Sequence, residues 1–500
     1  MARKGPIQWV KDVIRRMFRK RDFENFHMAT AITDTMAAAI DNWVAMYYNR
    51  PAYRKHGAPT LGLPAAIAHE MATTVTLEAK INVGNPERPG DDDSLEEAPL
   101  NPRALFISEC LQPLRDQLEA QVEYACAFGG LVFRPYVSDG AVAIDFINAD
   151  NFYPAAYNAR GKITSAVFVE KKKVGTDLFI RLERHDMLGN GKYQVTNRAY
   201  RSVGQDARAD IGTPIALTDV PEWADIEPDV TMEGVDEPLF AYFKMPQANI
   251  VDVNSPLGVS IYARAESAGM LKEADQQLGR MLWEYEGGQM AIDASIDAFK
   301  RDSQGNVVLP AGKERLYRVN ELDPMSQTTM GKFSIFAPEL RDSAYADGLN
   351  RILMRIEDLC CLSRGTLSDA NEQMRTATEL KINKQRTYAA VTSIQMSLQA
   401  AIIQLAKAID TYASLYDLAQ DGEYELSFTW DDSVVTDATT EREADRQDVL
   451  DGIMQPWEYR VKWYGETKSA AKAATEFNDT PADTSTKKVD EEEEPEITEE

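Results

Sequence analysis

The sequence predicts an α+β protein, and three observations carry that prediction. Stretches with apolar residues three and four apart alternate with short runs rich in β-branched and aromatic residues. The dipeptides Asp139-Gly140 and Asn190-Gly191 sit between runs of the second kind, where both residues tolerate the positive φ of a tight hairpin turn. A long helical pattern is followed by a compact strand-like stretch and then by a second helical pattern. With 500 residues and 44% apolar content, the chain has a folded composition and length for roughly two to four domains.

Taken in order, residues 3–21 carry Arg3, Lys4, Lys11, Arg15, Arg16, Arg19, Lys20 and Arg21 against Asp12, with Ile7, Val10, Ile14 and Met17/Phe18 at helical spacing. This is a basic amphipathic helix, either an arm packed on its own protein or a contact for DNA, membrane or an acidic neighbour. Residues 28–49 predict a helix through Ile32, Met36, Ile40, Trp43 and Tyr47, closed by Pro51. A helix over Pro64–Glu78 follows, then an exposed loop over Pro86–Pro99 with Asp91-Asp92-Asp93, then a helix over 101–127. Gly129-Gly130 switches the pattern to antiparallel strands: Leu131–Val137, Val142–Ile147, Ile163–Lys171, Leu178–His185 and Tyr193–Arg198.

Beyond an irregular acidic stretch, Pro256 and Gly258 precede a helix over 260–286 that Gly287-Gly288 ends. Short strands are expected at Asn306–Leu309, Arg315–Val319 and Phe333–Phe336. A helix over 339–363 follows, ended by Gly365. After a polar loop, Thr376 opens a third long helix whose stripe runs through Val391, Ile394, Leu398, Ile402, Leu405, Ile409, Tyr412 and Tyr416. A strand at Glu425–Trp430, polar helices from Thr439 and Gln455, and an acidic tail with almost nothing apolar complete the chain.

Composition excludes some functions. The net charge is −26, from 80 acidic and 54 basic side chains, and a protein that grips DNA would carry a basic face for phosphate neutralisation. A protein past which DNA slides is not excluded. No apolar run reaches the roughly 18 residues of a bilayer span, and no signal peptide is evident. Cys110, Cys126, Cys360 and Cys361 show no CxxC pairing and read as reduced core thiols.

A search for chemistry finds none. The pairs Gly161-Lys162, Gly191-Lys192, Gly312-Lys313 and Gly331-Lys332 lack the following hydroxyl residue and the earlier glycine of a phosphate loop. His27, His56, His69 and His185 are scattered, away from zinc spacing, and read as surface or satisfied core histidines. Asp91-Asp92-Asp93 lacks the pattern of a calcium loop, and Asp431-Asp432 lacks a second acidic motif for two-metal catalysis. Neither an enzyme activity, a cofactor nor a metal is expected.

Four collinear matches give the chain a family resemblance. They are Ala29–Tyr48 with Leu61–Val83; Asn254-Ser255-Pro256-Leu257-Gly258; Arg375-Thr376-Ala377-Thr378-Glu379; and Asp431-Asp432-Ser433 with Asp437, Gly452-Ile453 and Trp463-Tyr464-Gly465-Glu466. In this order, across about 30–466, the chain resembles the portal proteins of tailed double-stranded DNA phages, in the branch from siphoviruses of Gram-positive hosts. The resemblance implies a portal fold with an α/β wing, a helical stem, a small β-rich clip and a helical crown.

Laid on this chain, it implies a wing with a basic arm over 1–255, stem helices over 256–286 and 339–363, and a clip over 287–338. A tunnel loop over 364–376, a wing-spanning helix and strand over 377–437, a crown over 438–477 and a disordered acidic tail over 478–500 follow. The implied function is a ring-shaped channel at the capsid vertex for genome packaging, head–tail attachment and DNA ejection.

The implied partners are further copies of the chain in a dodecamer, the large terminase, the head–tail adaptor, and the major capsid and scaffold proteins. Double-stranded DNA would pass without sequence specificity, and no membrane is involved. The protein would be built in the host cytoplasm and reside in the virion. Gln373, Met374 and Arg375 are the candidate DNA-facing residues of the tunnel loop, although Arg375 can instead pair with Glu379 one turn on. Lys313, Arg315 and Lys332 are candidate clip contacts to terminase or adaptor. A different structural head protein, minor capsid or scaffold-associated, is the alternative. A nucleic-acid enzyme with degenerate motifs stands further off.

Overall fold

The computed structural model describes residues 32–54, 57–77, 79–86, 99–138, 140–175, 177–203, 213–295, 299–309, 316–320, 333–369, 377–430, 438–464, 471–472 and 474–475. The basic arm, the loop at Asp91-Asp92-Asp93, the Asp431-Asp432-Ser433 segment and the acidic tail lie outside these residues. Helices and strands both contribute substantially, as the α+β expectation requires. Two compact units are present, one ending at Trp430 and the other comprising 85–99 with 431–500.

The larger unit opens with α1 (Asp34–Tyr47) and α2 (Leu63–Thr76), which bury Trp43, Ile40, Ile67 and Met71. The Thr33 side chain caps α1 by accepting from the Met36 amide, satisfying a donor that the first turn leaves unpaired. Strand β1 (Lys80–Gly84) follows. The single helix expected over 101–127 is three: α3 (Pro102–Cys110), α4 (Gln112–Asp116) and α5 (Leu118–Phe128). Pro113 explains the first of the two breaks, since it has no amide proton and its ring crowds the preceding turn; the second falls at Gln117, which leaves the helical region with φ of −117°.

The strands expected over 131–200 belong to two sheets rather than one. β2 (Gly130–Ser138) pairs with β3 (Ala141–Asn148) and, on its other side, with β10 (Ala241–Lys244). A single 3-10 turn at Ala149–Asn151 then redirects the chain. It enters a second sheet of β4 (Phe152–Tyr157), β5 (Ile163–Val174), β6 (Asp177–Gly189), β7 (Lys192–Val203) and β8 (Thr213–Ile215), in that order, with β9 (Asp229–Glu233) also on β7. The β6–β7 hairpin turns at Asn190-Gly191, with φ of 55° and 70°. Both are positive, as the dipeptide predicts for a type I′ turn.

A charged cluster joins the sheets. Arg134 of β2 bridges Asp145 of β3 and Glu183 of β6, while Arg181 binds Glu170 and Glu183. His185 is buried between Glu183 and the Tyr193 hydroxyl, which makes it a satisfied core histidine. Burial opposes ionisation of Glu183, but Arg134, His185 and Arg181 outweigh it and hold its pKa well below the usual carboxylate range. His69 is exposed beside Glu123.

Residues 260–286 form two helices, α6 (Ala263–Ser267) and α7 (Met270–Gly287), broken at Gly269, whose φ is 73°. The insert between α7 and its return contains a sheet of β14 (Tyr317–Asn320), β11 (Ala291–Ser295) and β15 (Phe333–Phe336), with a small ladder of β12 (Lys300–Arg301) and β13 (Val307–Val308). Helix α8 (Asp342–Cys360) returns along α7. It ends at Cys361, which takes a left-handed φ of 60°, and therefore before the Gly365 expected to end it.

The long helix α9 (Ala377–Leu415) buries Val391, Ile394, Leu398, Ile402, Leu405 and Ile409, the stripe read from the sequence. It packs against β10, β2 and α2. Residues Gln385–Leu415 are long and apolar enough to cross a bilayer by length and composition, contrary to the expectation that no run was. Uncharged polar residues (Thr392, Ser393, Gln395, Ser397, Gln399 and Gln404) interrupt the run without lowering its mean hydropathy below that of a span, and its apolar stripe is a core face here. β16 (Glu425–Thr429) then pairs with β1. The smaller unit holds α10 (Ala438–Leu450) and α11 (Pro456–Tyr464), linked by Lys462 and the Trp463 indole to Asp445.

One close approach leaves no room for a side chain. Gly129, with φ of 90°, lies against the backbone of Gly258, and a Cβ on Gly258 would collide with the Gly129 carbonyl oxygen and the Met245 amide. Gly258→Ala is expected to destabilise the protein by about 1–3 kcal/mol, read as a lower denaturation midpoint in urea. An unchanged midpoint would mean that this crossing is looser than its geometry.

Candidate functional site

The candidate site is the end of α8 and the root of the loop that joins it to α9. Two acids, Glu357 and Asp358, occupy the last turn of α8. Acids there oppose the helix dipole, so the fold must supply donors. Glu357 is fully buried and accepts from the Leu367 amide at 2.6 Å, the Ser368 amide at 2.8 Å and the Ser368 hydroxyl at 2.8 Å. A buried carboxylate with three donors is stable where an unpaired one would not be. The loop therefore folds back onto the helix that launches it.

Asp358 faces the other way and joins α8 to α9. It accepts from Arg364 at 3.2 Å and from Arg386 of α9 at 2.7 Å. Partial burial pushes its pKa up, but the hydrogen bonds from Arg364 and Arg386 prevail and the net shift is downward. Beside it, the Thr387 hydroxyl donates to the Cys361 carbonyl at 3.1 Å and contacts the Ser363 hydroxyl at 2.8 Å. Asn350, on α8, accepts from the Asp369 amide at 2.8 Å. The loop's first half is thus tied to α8 or α9 through Cys361, Ser363, Arg364, Leu367, Ser368 and Asp369.

At the opposite end, Arg341 precedes α8 and donates to Glu284 of α7 at 3.0 and 2.7 Å. Those hydrogen bonds lower the Glu284 pKa. Between the ends, Gln277 donates to the Tyr345 carbonyl at 3.3 Å. Asp275 anchors α7 to the body by accepting from the Tyr53 hydroxyl at 3.0 Å and the Leu61 amide at 2.9 Å. Around the insert end of the pair, Leu282, Trp283, Tyr285, Met290, Ile335 and Leu340 are exposed, Trp283 to 67% and Ile335 to 69%.

Gln373, Met374, Arg375, Lys313, Arg315 and Lys332 lie outside the described residues, as does the Arg375–Glu379 alternative. Sequence reasoning missed Glu357, Asp358 and Arg386. The paired acids at a helix C-terminus were a partial signal that partners are needed, but nothing in the sequence says which groups supply them.

Among the described residues no cluster of His, Cys, Asp and Glu could hold a metal ion. Cys110, Cys126 and Cys360 are buried free thiols whose pKa values burial raises, to about 11 for Cys110 and about 12 for Cys126. The arrangement is one of construction: a helix pair clamped at both ends, with a β insert at one and a tethered loop at the other.

The family described as "Phage portal protein, SPP1 Gp6-like" matches residues 72–479, and the chain belongs to it. Among solved structures, a chain of "Neck of native GTA particle computed with C12 symmetry" aligns with TM-score 0.37 and 11% identity over 80% of this chain and 89% of that one. A likeness of that size adds nothing to the family match. No curated protein matches.

Glu357→Ala is expected to speed amide hydrogen exchange at Leu367 and Ser368 and to cost about 1–3 kcal/mol, since it strands buried donors. Unchanged exchange at both amides would remove Glu357 from its anchoring role. The depressed Asp358 pKa predicts a pH effect of fixed sign. Its contribution is complete above the ordinary value of 3.8 and is lost as pH falls through the lower folded value. Arg386→Gln should flatten that acid limb in a denaturation series against pH.

Proposed function

We propose that the chain assembles into a closed ring around a DNA channel at the vertex of a phage head. In this reading it serves genome packaging, head–tail attachment and ejection. The observation that carries it is the family match across residues 72–479. The alternative of another head protein is not favoured, because the matched family is that of portals.

On this reading α7 and α8 are the stem, the insert over 287–338 is the clip, and residues 364–376 are the tunnel loop. The body is the wing and residues 438–477 are the crown. Gln373, Met374 and Arg375 face DNA, and Lys313, Arg315 and Lys332 contact terminase or adaptor. Twelve copies complete the ring, with capsid and scaffold proteins around it, in a virion assembled in the host cytoplasm. No catalytic step and no cofactor enter this role.

Exposed apolar side chains on α7 and on the adjoining insert support ring closure. Contiguous apolar surface is costly in water and marks a partner. Neighbouring copies would cover Leu282, Trp283, Met290 and Ile335, and a ring leaves no uncovered copy.

Electron microscopy of the purified protein at high concentration, with and without scaffold, tests this reading. Closed rings with a channel wide enough for a duplex of about 20 Å are expected. Filaments, or globules without a channel under every condition, would refute it. Trp283→Glu should leave the monomer's circular dichroism unchanged and shift the sedimenting species from rings to monomers. Rings of undiminished abundance would show that this face is not buried between copies.

A further inference from the structure

A cavity of about 530 Å³ lies where the turn between β4 and β5, the end of β10 and the Val253–Pro256 loop meet. Arg160, Lys162 and Lys244 line it, and no acidic residue does. In a chain with 80 acids and 54 bases, a cavity lined by three basic residues and no acidic one calls for an explanation.

Their presentation is rigid. The Asn158 side-chain oxygen accepts from the Arg160 and Lys162 amides, each at 3.0 Å, and Gly161 takes a left-handed φ of 76° to close the turn. The Tyr157 hydroxyl donates to the Asn254 carbonyl at 3.2 Å, tying the turn to the facing loop.

The charges are unequally satisfied. Lys162 pairs with Glu237 at 3.2 Å, and Glu237 also lies 4.0 Å from Lys407. Among the described residues, neither Arg160 nor Lys244 has an ion-pair partner. Lys244 is half-buried at the end of an edge strand, and burial alone lowers its pKa, with no carboxylate opposing the shift. An ammonium desolvated without compensation is a standing cost to the fold, and an anion in the cavity would remove it.

We propose that this cavity binds a phosphate group, carried either by the backbone of DNA or by free phosphate. Free phosphate offers four oxygens and a backbone phosphodiester two non-bridging ones, and in either case the guanidinium fork matches two of them. A carboxylate has two oxygens and half of its single charge on each, so it is the competitor that the test must separate from phosphate. The proposal concerns the flank of the body and does not depend on ring closure.

The test uses the full-length protein, with inorganic phosphate, a short DNA duplex and polyglutamate as probes, read by thermal melting and by titration. Inorganic phosphate is expected to raise the melting temperature of the wild type. Lys244→Met should melt higher than the wild type without phosphate and lose the phosphate-induced rise. Arg160→Met should weaken phosphate binding by roughly tenfold or more.

Displacement of phosphate by the duplex, lost in Lys244→Met, assigns the ligand to DNA. Phosphate binding that the duplex leaves untouched assigns it to free phosphate. Absence of any phosphate effect on the wild type overturns the proposal, as does full binding by Lys244→Met and Arg160→Met alike. Binding of polyglutamate in place of phosphate also overturns it, in favour of an acidic segment. Micrographs of the same samples report ring closure separately, so failure of one reading is distinguishable from failure of the other.

Discussion

The apolar stripe of α9 holds the larger unit together, and most other elements are placed by reference to it. Val391, Ile394, Leu398, Ile402, Leu405 and Ile409 are each almost fully buried, and burial of one such side chain contributes about 1.5–3 kcal/mol. Polar side chains on the same helix give it a register. Gln395 donates to the Val75 carbonyl, Ser397 to that of Lys244 and Gln404 to that of Phe240. The last two lie at either end of β10, so the helix positions the edge of the three-stranded sheet. Arg103 of α3, itself buried, reaches Asp410 on the helix and Asp421 beyond it.

From that core the helix pair projects as a separate structural problem, solved by charge rather than by apolar burial. α7 and α8 bury few side chains within one copy, and their ends are held by Glu284 with Arg341 and by Asp358 with Arg364 and Arg386. Exposed ion pairs contribute little each, so a lone copy of the pair is weakly held. On the proposed ring reading, association of copies would cover the apolar side chains at its insert end and complete the balance.

Much of this was legible in the sequence, because periodicity reports burial directly. The α9 stripe, the Asn190-Gly191 turn and the helix–insert–helix order all follow from spacing or from turn chemistry. The breaks did not. Pro113 splits a continuous apolar stripe, and Gly269 and Cys361 end helical turns through left-handed backbone whose need arises only in the tertiary setting. The division of the strands into two sheets was equally hidden, since a 3-10 turn at Ala149–Asn151 leaves the alternation on either side intact. At the candidate site the order of elements was readable. The buried Glu357 was not singled out, because its donors are backbone amides of Leu367 and Ser368, and an amide carries no sequence signature.

The β1–β16 ladder has a consequence for synthesis. Lys80–Gly84 pairs with Glu425–Thr429, and Asn101 donates to the Glu423 carbonyl, 322 residues further on, so β1 and the start of α3 meet partners synthesised much later. At roughly 5–20 residues per second, the ribosome needs tens of seconds to supply them. Through that interval β1 is an unpaired strand edge, and closing so long a loop comes late and slowly. A nascent chain released before Thr429 would carry that open edge into a crowded cell, where truncated copies would pair with one another instead of with themselves.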